Sequence, residues 1–596
     1  MSSMQIRKIV LYALLVAVGL LIYNAYEKQS VQLDIKRMVQ SSAVQAQDQN
    51  ITASTSTVSP SASYVPKAFT PSSGSAASNQ DQSHPIAPAA PKVTNENNNP
   101  VVTVQTSTLN VGIDLTTGSI HTLSLPGYPI SLSDKNPFVL FAQDDYHNYQ
   151  TQSGLVDTQG KPLAVNYQSS QTHYILGSNQ EALNVVLNGQ TTNGLSLTKT
   201  YTFHKNSYVI DVSYQVQNKG KNPQNYSFYG QLTRQPSLLK GSVVSNRAYK
   251  GAAISSPDDP YEEIKYDWLD GNQLDRQIQG GWIAQQEQYF ITAWIPTAHV
   301  QNNYYSHTDF QIDSEGKAAN IYTVGFTAPA VTIEPGQTAT IAARLYAGPE
   351  IASVLKTVAP GLDLSVDYGW LWMLSKLIFT IMAYIETVVH NWGFAIILTT
   401  LLIKLCFYKL SEHSYKSMAK MKKFAPKIQA LKEQFGDNKA ELGKATMELY
   451  RKEKVNPAGG CLPMVVQIPF FFALYYVLIN SVELRQAPFI FWVKDLAIYD
   501  PYYVLPVLVG FSMFLQQKMS PPPPDPAQAK MMMFLPVIFT VFFARFPAGL
   551  TLYWLTNNLL TVLQQWYVMR KFDNPDYVKK QVKLERQKAK ALSSKK

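Results

Sequence analysis

The sequence predicts a polytopic α-helical membrane protein of six spans, five of them forming a core, joined to an exported all-β sandwich domain. Three observations predict this fold class. One apolar segment near the N-terminus and five in the C-terminal third approach the length that crosses a bilayer. Between them, residues 101–350 alternate apolar and polar side chains, the period of a half-buried strand. The charge is also divided. Of a net +10 over 596 residues, segment 27–390 holds 21 Lys and Arg against 28 Asp and Glu, while segment 391–596 holds 28 against 13. A uniformly basic nucleic-acid binder would not divide its charge this way, so no specific nucleic-acid sequence is expected as a partner.

Residues 1–26 read as a signal-anchor helix. Residues 9–26 are uncharged and mostly apolar, and their helix would measure about 27 Å against about 30 Å of hydrocarbon. Arg7 and Lys8 precede them, which favours a cytoplasmic N-terminus. The absence of an A-x-A site after the apolar run favours an uncleaved anchor over a signal peptide. Residues 27–100, rich in Ser, Ala, Gln, Asn, Thr and Pro from about 41 onward, read as a flexible periplasmic linker.

Residues 101–360 read as the sandwich. LTKTYTF (197–203) and YVIDVSYQV (208–216) flank the turn segment HKNS and form a hairpin. VTIEPGQTATIAARLYAG (331–348) repeats the strand, turn, strand pattern. The domain contains no H-E-x-x-H and no G-x-S-x-G, and its histidines lack metal-ligand spacing. Ser314-x-x-Lys317 sits in a polar turn and reads as chance. The two cysteines, Cys406 and Cys461, both lie in the C-terminal third and cannot build a disulfide framework. No catalytic residue, metal or cofactor is expected, and the protein is not expected to be an enzyme.

Residues 361–390 change character. The apolar run 370–390 is interrupted by Lys376, Glu386 and His390 and begins with Trp370 and Trp372. It reads as an amphipathic helix lying in the periplasmic interface, with a spanning helix as the alternative. Five apolar segments follow in the core 391–569, at 391–410, 461–482, 502–517, 531–544 and 549–569. The loop 411–456 carries 11 Lys and Arg against 6 acids, and the tail 570–596 carries 10 against 3. Both are therefore expected in the cytoplasm and loop 483–501 outside, so that both termini are cytoplasmic in an inner membrane. Segments 502–517 and 531–544 are short, about 24 and 21 Å, which would thin the bilayer locally.

Lys404 is the sharpest residue. It lies 13 residues, about 20 Å, into the first core span. A lysine at that depth costs about 2.5–3.5 kcal/mol and normally faces protein or water; the alternative is a lysine snorkelling to the inner surface. Thr400 shares its face. Tyr553, Thr556, Asn557, Thr561 and Gln564 form a stripe on the last span, and Gln467, Gln516 and Thr540 add one polar group each from the others. These groups fit either interhelical hydrogen bonding or a wet cavity around Lys404. Segment 411–456 reads as a mobile amphipathic helical hairpin, with Lys420, Lys422, Lys423 and Lys427 on its first arm. GDNKAELGKAT (436–446) imitates a Walker A motif but has the wrong spacing and lacks the final Ser/Thr.

Several stretches resemble the YidC membrane-protein insertases, the Gram-negative type of the YidC/Oxa/Alb family. They are NWGFAI (391–396), SMAKMKKFAPKIQALKE (417–433), YRKEKVNPAGGCLPMVVQIPFFFALYYVL (450–478), SVELRQAPF (481–489), DPYYVLPVLVGFSMFLQQKMSP (500–521) and MFLPVIFTVFFARFPAGLTLYW (533–554). The resemblance implies an insertase and chaperone for integral membrane proteins, acting alone or with the Sec translocon on nascent substrates. It implies a hydrophilic groove of Lys404, Thr400, Gln467, Gln516, Thr540, Tyr553, Thr556 and Asn557, a substrate slide of Leu462, Pro463, Phe471 and Phe542, and a recruitment loop of Lys420, Lys422, Lys423 and Lys427. Lys404 stands where most relatives have arginine, Trp554 follows Tyr553 where Tyr-Tyr is frequent, and Arg545 occupies a usually apolar or aromatic site. Membrane lipids are implied partners, and the basic tail is a candidate ribosome contact. Two other readings stay open. One is a secondary transporter or channel that uses Lys404 for an anion. The other is a carbohydrate-binding or scaffold role for the β-domain.

Overall fold

The computed structural model describes residues 100–143, 148–191, 194–236, 251–312, 318–435, 438–453, 462–520 and 526–573. The expected anchor 1–26, the linker up to residue 99 and the tail beyond Asp573 lie outside the described residues.

Residues 101–349 form the β-sandwich. Among the described residues its larger sheet has eleven strands and its smaller nine. The smaller runs, in spatial order, Glu262–Ile264, Gly251–Ser255, Trp282–Gln286, Phe290–Pro296, Thr338–Pro349, Val209–Asn218, Leu195–His204, Ala182–Gln190, Asn166–Ser169. The hairpin expected at 197–216 forms, with Phe203 opposite Ile210 and Tyr201 opposite Val212. Strand alternation sends Leu195, Leu197, Tyr201 and Phe203 into the core beside Ile210, Val212 and Tyr214. The segment 331–348 has the expected strand, turn, strand order, but it is not a hairpin. Its two strands join different sheets: Val331–Ile333 pairs with Gln224–Arg234, and Thr338–Pro349 pairs with Val209–Asn218 and Phe290–Pro296. The turn between them, with Gly336 at φ +78°, crosses from one layer to the other.

Two cations are buried here, at inward-facing positions of their strands where apolar side chains would be expected. Lys199 shares the inward face of its strand and donates to the carbonyls of Gly118 (2.6 Å) and Ser153 (3.3 Å) and to Ser153 Oγ (3.0 Å). Burial holds its pKa well below 10.5, and the Tyr201 and Tyr214 rings lie 4.9 Å away. Arg234 donates to Glu287 Oε1 at 2.7 Å and to the Gln286 carbonyl at 2.9 Å, with its guanidinium 5.0 Å from the Tyr149 ring.

Two short helices, α1 (Tyr266–Leu269) and α2 (Ala352–Val358), belong to the sandwich side of the chain. The helical part follows: α3 (Trp372–Val389), α4 (Trp392–Cys406), α5 (Tyr408–Lys423), α6 (Ala425–Phe435), α7 (Lys439–Lys452), α8 (Leu462–Asn480), α9 (Val504–Met519), α10 (Pro526–Phe543) and α11 (Ala548–Asp573). By length and apolarity α3 could cross a membrane as a single helix, and α4 with α5 could do so as one span bent by 69°. α3 packs on α4 and α8, with Ser375, Ile378 and Met382 as its buried stripe.

Two of the differences in helix bounds from the sequence reading bear on the core. The first core span, expected over 391–410, ends at Cys406, and Lys404 therefore lies in its last turn. From Lys409 the sequence turns polar and α5 sets off in a new direction. α10 begins at Pro526 rather than 531, so the fourth core helix has 18 residues and a length of about 27 Å.

Hydrogen bonds gather one end of every core helix. Asn391 caps α4 and donates to the Phe489 carbonyl in the loop between α8 and α9 (3.0 Å). The amides of Ala548 and Gly549, at the start of α11, donate to the carbonyls of Ile498 and Leu496 in that same loop. α4, α8, α9, α10 and α11 thus alternate in direction. The β-domain meets the same loop: Arg485 Nη2 donates to the carbonyls of Pro129 (2.8 Å) and Ile130 (3.0 Å), and Gln486 Nε2 to that of Pro129 (2.9 Å). A second core cluster also runs between the two parts. Trp282, Ala284, Ala293 and Tyr346 of the smaller sheet join Leu355, Val358, Leu362 and Tyr368, and these join Ile378, Met382, Ile396 and Leu478 of the helices.

Glu483 lies in this loop, and burial pushes its pKa from the ordinary 4.5 to about 7. A carboxyl raised in the folded state favours folding below its unfolded pKa, and that benefit is lost as pH rises from 4.5 through about 7. Glu483→Gln is therefore expected to stabilise the detergent-solubilised chain at pH 8 by on the order of 2 kcal/mol and to leave it unchanged at pH 4. Thermal melts of both proteins at the two pH values check this; equal gains at both would remove ionisation from the account.

Candidate functional site

The site is a polar seam between α4, α8, α9 and α11. On α4, Thr399, Thr400 and Lys404 recur at helical spacing and are buried together. Lys404, only 7% exposed, donates to Thr561 Oγ1 on α11 at 2.7 Å. Thr561 Oγ1 in turn donates to the Asn557 carbonyl one turn earlier (2.6 Å), and Asn557 Nδ2 donates to Gln467 Oε1 on α8 (3.1 Å). Among the described residues no carboxylate pairs with Lys404.

The structure brings Lys404, Gln467 and Asn557 into one network and leaves the other expected groove residues beside it. Thr400 Oγ1 donates to its own helix at Ile396 (2.7 Å), and Thr540 Oγ1 likewise to Pro536 (2.9 Å). Thr540 faces Gly510, where a methyl group would collide with its hydroxyl, so glycine lets α9 and α10 approach closely. Tyr553 is buried in the apolar cluster, and Thr556 and Gln516 are half-buried. Along the expected slide, Phe471 packs edge-on against Trp554 at 5.1 Å, and Phe542 is exposed beside Phe546. Leu462 and Pro463 open α8, and their side chains lie outside the described residues.

Lys420, Lys422 and Lys423 are exposed in the last turn of α5. Lys427, on α6, instead bridges to Glu453 Oε1 at 3.0 Å and so closes the α6–α7 pair.

Sequence reasoning missed part of the seam. Asn558 Nδ2 donates to Ser512 Oγ on α9 (3.1 Å), joining a fourth helix, and Gln565 is 1% exposed with neither amide atom hydrogen-bonded. Asn558 lies three residues before Thr561 and Gln565 four residues after it, each adjacent in sequence to a member of the predicted stripe, Asn557 and Gln564.

The comparisons with known proteins cover both parts of the chain. The family described as 60Kd inner membrane protein matches residues 384–575, and the YidC periplasmic domain matches 101–381. Proteins named membrane protein insertase YidC are similar over almost the whole length. One from Coxiella burnetii (strain Dugway 5J108-111) is 44% identical, covering 96% of this chain and 97% of its own. One from Legionella pneumophila (strain Corby) is 43% identical, covering 97% and 99%. A solved structure, described as an active YidC insertase with its first transmembrane domain resolved, matches 79% of this chain and 95% of its own at 18% identity and TM-score 0.38. Two family matches that together span most of residues 101–575, and relatives above 40% identity at nearly full length, agree: this chain belongs to the YidC family of membrane-protein insertases.

Proposed function

We propose that this protein inserts integral membrane proteins into the inner membrane and assists their folding, with Lys404 as the charge that receives acidic substrate segments. The observation that carries this reading is the buried ammonium of Lys404, held by a single threonine hydroxyl and facing no carboxylate among the described residues. A buried cation without a counter-ion is costly, and a carboxylate that arrives lowers that cost for both partners.

A short substrate with an acidic outer tail first meets the exposed Lys420, Lys422 and Lys423. Its carboxylates then move toward Lys404, while Gln467, Asn557, Thr561 and the unpaired amide of Gln565 offer hydrogen bonds in place of water. The apolar segment leaves into lipid past Phe471 and Phe542 on α8 and α10. Burial of apolar surface, at about 25 cal/mol per Å², and the membrane potential supply the drive, so no nucleotide or covalent step enters. Both termini are cytoplasmic and α3 lies in the periplasmic interface. The gathering of the β-domain, the α8–α9 loop and the α10–α11 turn at one end supports this orientation. Work beside the Sec translocon, and ribosome contact through the basic tail, belong to the same reading.

The test is reconstitution of the purified chain into vesicles with a single-span substrate whose outer tail is acidic. Protease protection of the tail in excess of empty vesicles is the expected result. Uptake of a small anion without any protein insertion would favour the transporter reading instead.

A further inference from the structure

We propose that the β-hairpin of strands Ser119–Pro129 and Pro137–Gln143 rests its tip on the outer leaflet of the bilayer, so that the sandwich domain has phospholipid as a direct partner. The pairing of these strands shifts register at Leu123/Ser124 and again at Leu125/Pro129. Such irregularities bend a hairpin away from its parent sheet. Beyond them the tip carries Ile130 (45% exposed) and Leu132 (37%), with Lys135 exposed nearby, and Val139, opposite Ser124, is exposed between the two shifts.

Scattered exposed apolar side chains are ordinary on a soluble surface; the place where these are held is what distinguishes them. The tip's carbonyls at Pro129 and Ile130 are bound by Arg485 and Gln486, and the Arg485 guanidinium lies 5.8 Å from the rings of Phe138 and Phe290. Arg485 follows Asn480, the last residue of α8, by five residues, so the chain can carry it at most about 17 Å from the helix end. The same loop is bonded to the caps and first turns of α4 and α11 and runs directly into α9. A loop that joins so many span ends lies at headgroup level. Its exposed residues have the composition of that layer: Ile490, Phe491, Tyr499, Tyr502 and Tyr503, with Lys494. The hairpin bonded to it shares its depth, and Lys135 and Lys494 suit anionic headgroups.

The full chain, with Cys406→Ser and Cys461→Ser, would carry a nitroxide label at Leu132→Cys, at Ser133→Cys or, for comparison, at Phe310→Cys. Phe310 is 70% exposed, on strand Gln301–Ile312 of the larger sheet, where it lies opposite Asn320. The proteins are reconstituted into phosphatidylethanolamine and phosphatidylglycerol vesicles. Oxygen, which concentrates in lipid, and a water-soluble nickel complex are then compared as relaxing agents. At Leu132 or Ser133 the oxygen-to-nickel ratio is expected to be at least double that at Phe310. Equal ratios at all three sites would overturn the proposal. So would spin–spin broadening at the tip that disappears on dilution with unlabelled chain, because the partner would then be a second copy.

Discussion

Lys404→Glu is expected to lower the insertion rate of acidic-tailed substrates by about a hundredfold or more, while Lys404→Arg retains most of it. At 4 Å and an effective dielectric near 20, two like charges repel by about 4 kcal/mol, which alone corresponds to nearly three decades. The glutamate also keeps Thr561 as its neighbour, but with the opposite demand, since it needs donors where lysine supplied them. Arginine preserves the charge and adds a planar fork suited to carboxylates. Initial rates of protease protection in proteoliposomes check this. A substrate with a neutral tail, inserted equally by all three proteins, serves as the control for folding. Equal rates of Lys404→Glu and Lys404→Arg on the acidic substrate would remove the groove charge from the mechanism.

The second large effect concerns the sandwich. Arg234→Met is expected to cost about 3–5 kcal/mol of its stability, because Glu287, whose side chain is 16% exposed, is left without its cation. The neutral pair Arg234→Met with Glu287→Leu is expected to recover most of that loss, since well-packed apolar residues replace buried ion pairs at little cost. Denaturant titration of the solubilised chain, followed by near-ultraviolet circular dichroism, measures both. A loss below about 1 kcal/mol for the single variant would mean that the pair behaves as a surface ion pair.

The contrast between these two cations shows what sequence could and could not supply. Lys404 stood out because the eleven residues before it, back to Gly393, are all apolar or small apart from two threonines, and a charge in hydrocarbon is conspicuous. Arg234 and Lys199 fall in step with the inward faces of their strands, but what keeps a charge there is not local: it depends on partners from distant segments, such as Gln286, Glu287 and Ser153. The fold class was legible because period-2 alternation and long apolar segments are local signals. The sheet crossing at 334–337 was not, since a Pro-Gly turn looks the same whether its strands pair with each other or with different sheets. On α11 the predicted polar stripe includes Asn557 and Gln564 but not the adjacent Asn558 and Gln565, although Asn558 reaches Ser512. The helix break at Phe407 was also hidden, because the apolar run continues past Cys406 and only the polar residues from Lys409 mark its end.

The cluster shared by the smaller sheet and the helices has a further consequence. Trp282 and Tyr346 on one side and Met382 and Leu478 on the other belong to one packed body, linked through residues 355–368. Such a body opens as a cooperative unit and not as two foldons. Heat should therefore loosen α3 and disperse the sheet in a single event, with their amides sharing one opening free energy in hydrogen exchange. During synthesis the sandwich strands precede α3 in the chain, so a folded sheet would already present its half of this surface when that helix emerges, and the exported domain would act as the template on which the first part of the helical bundle settles.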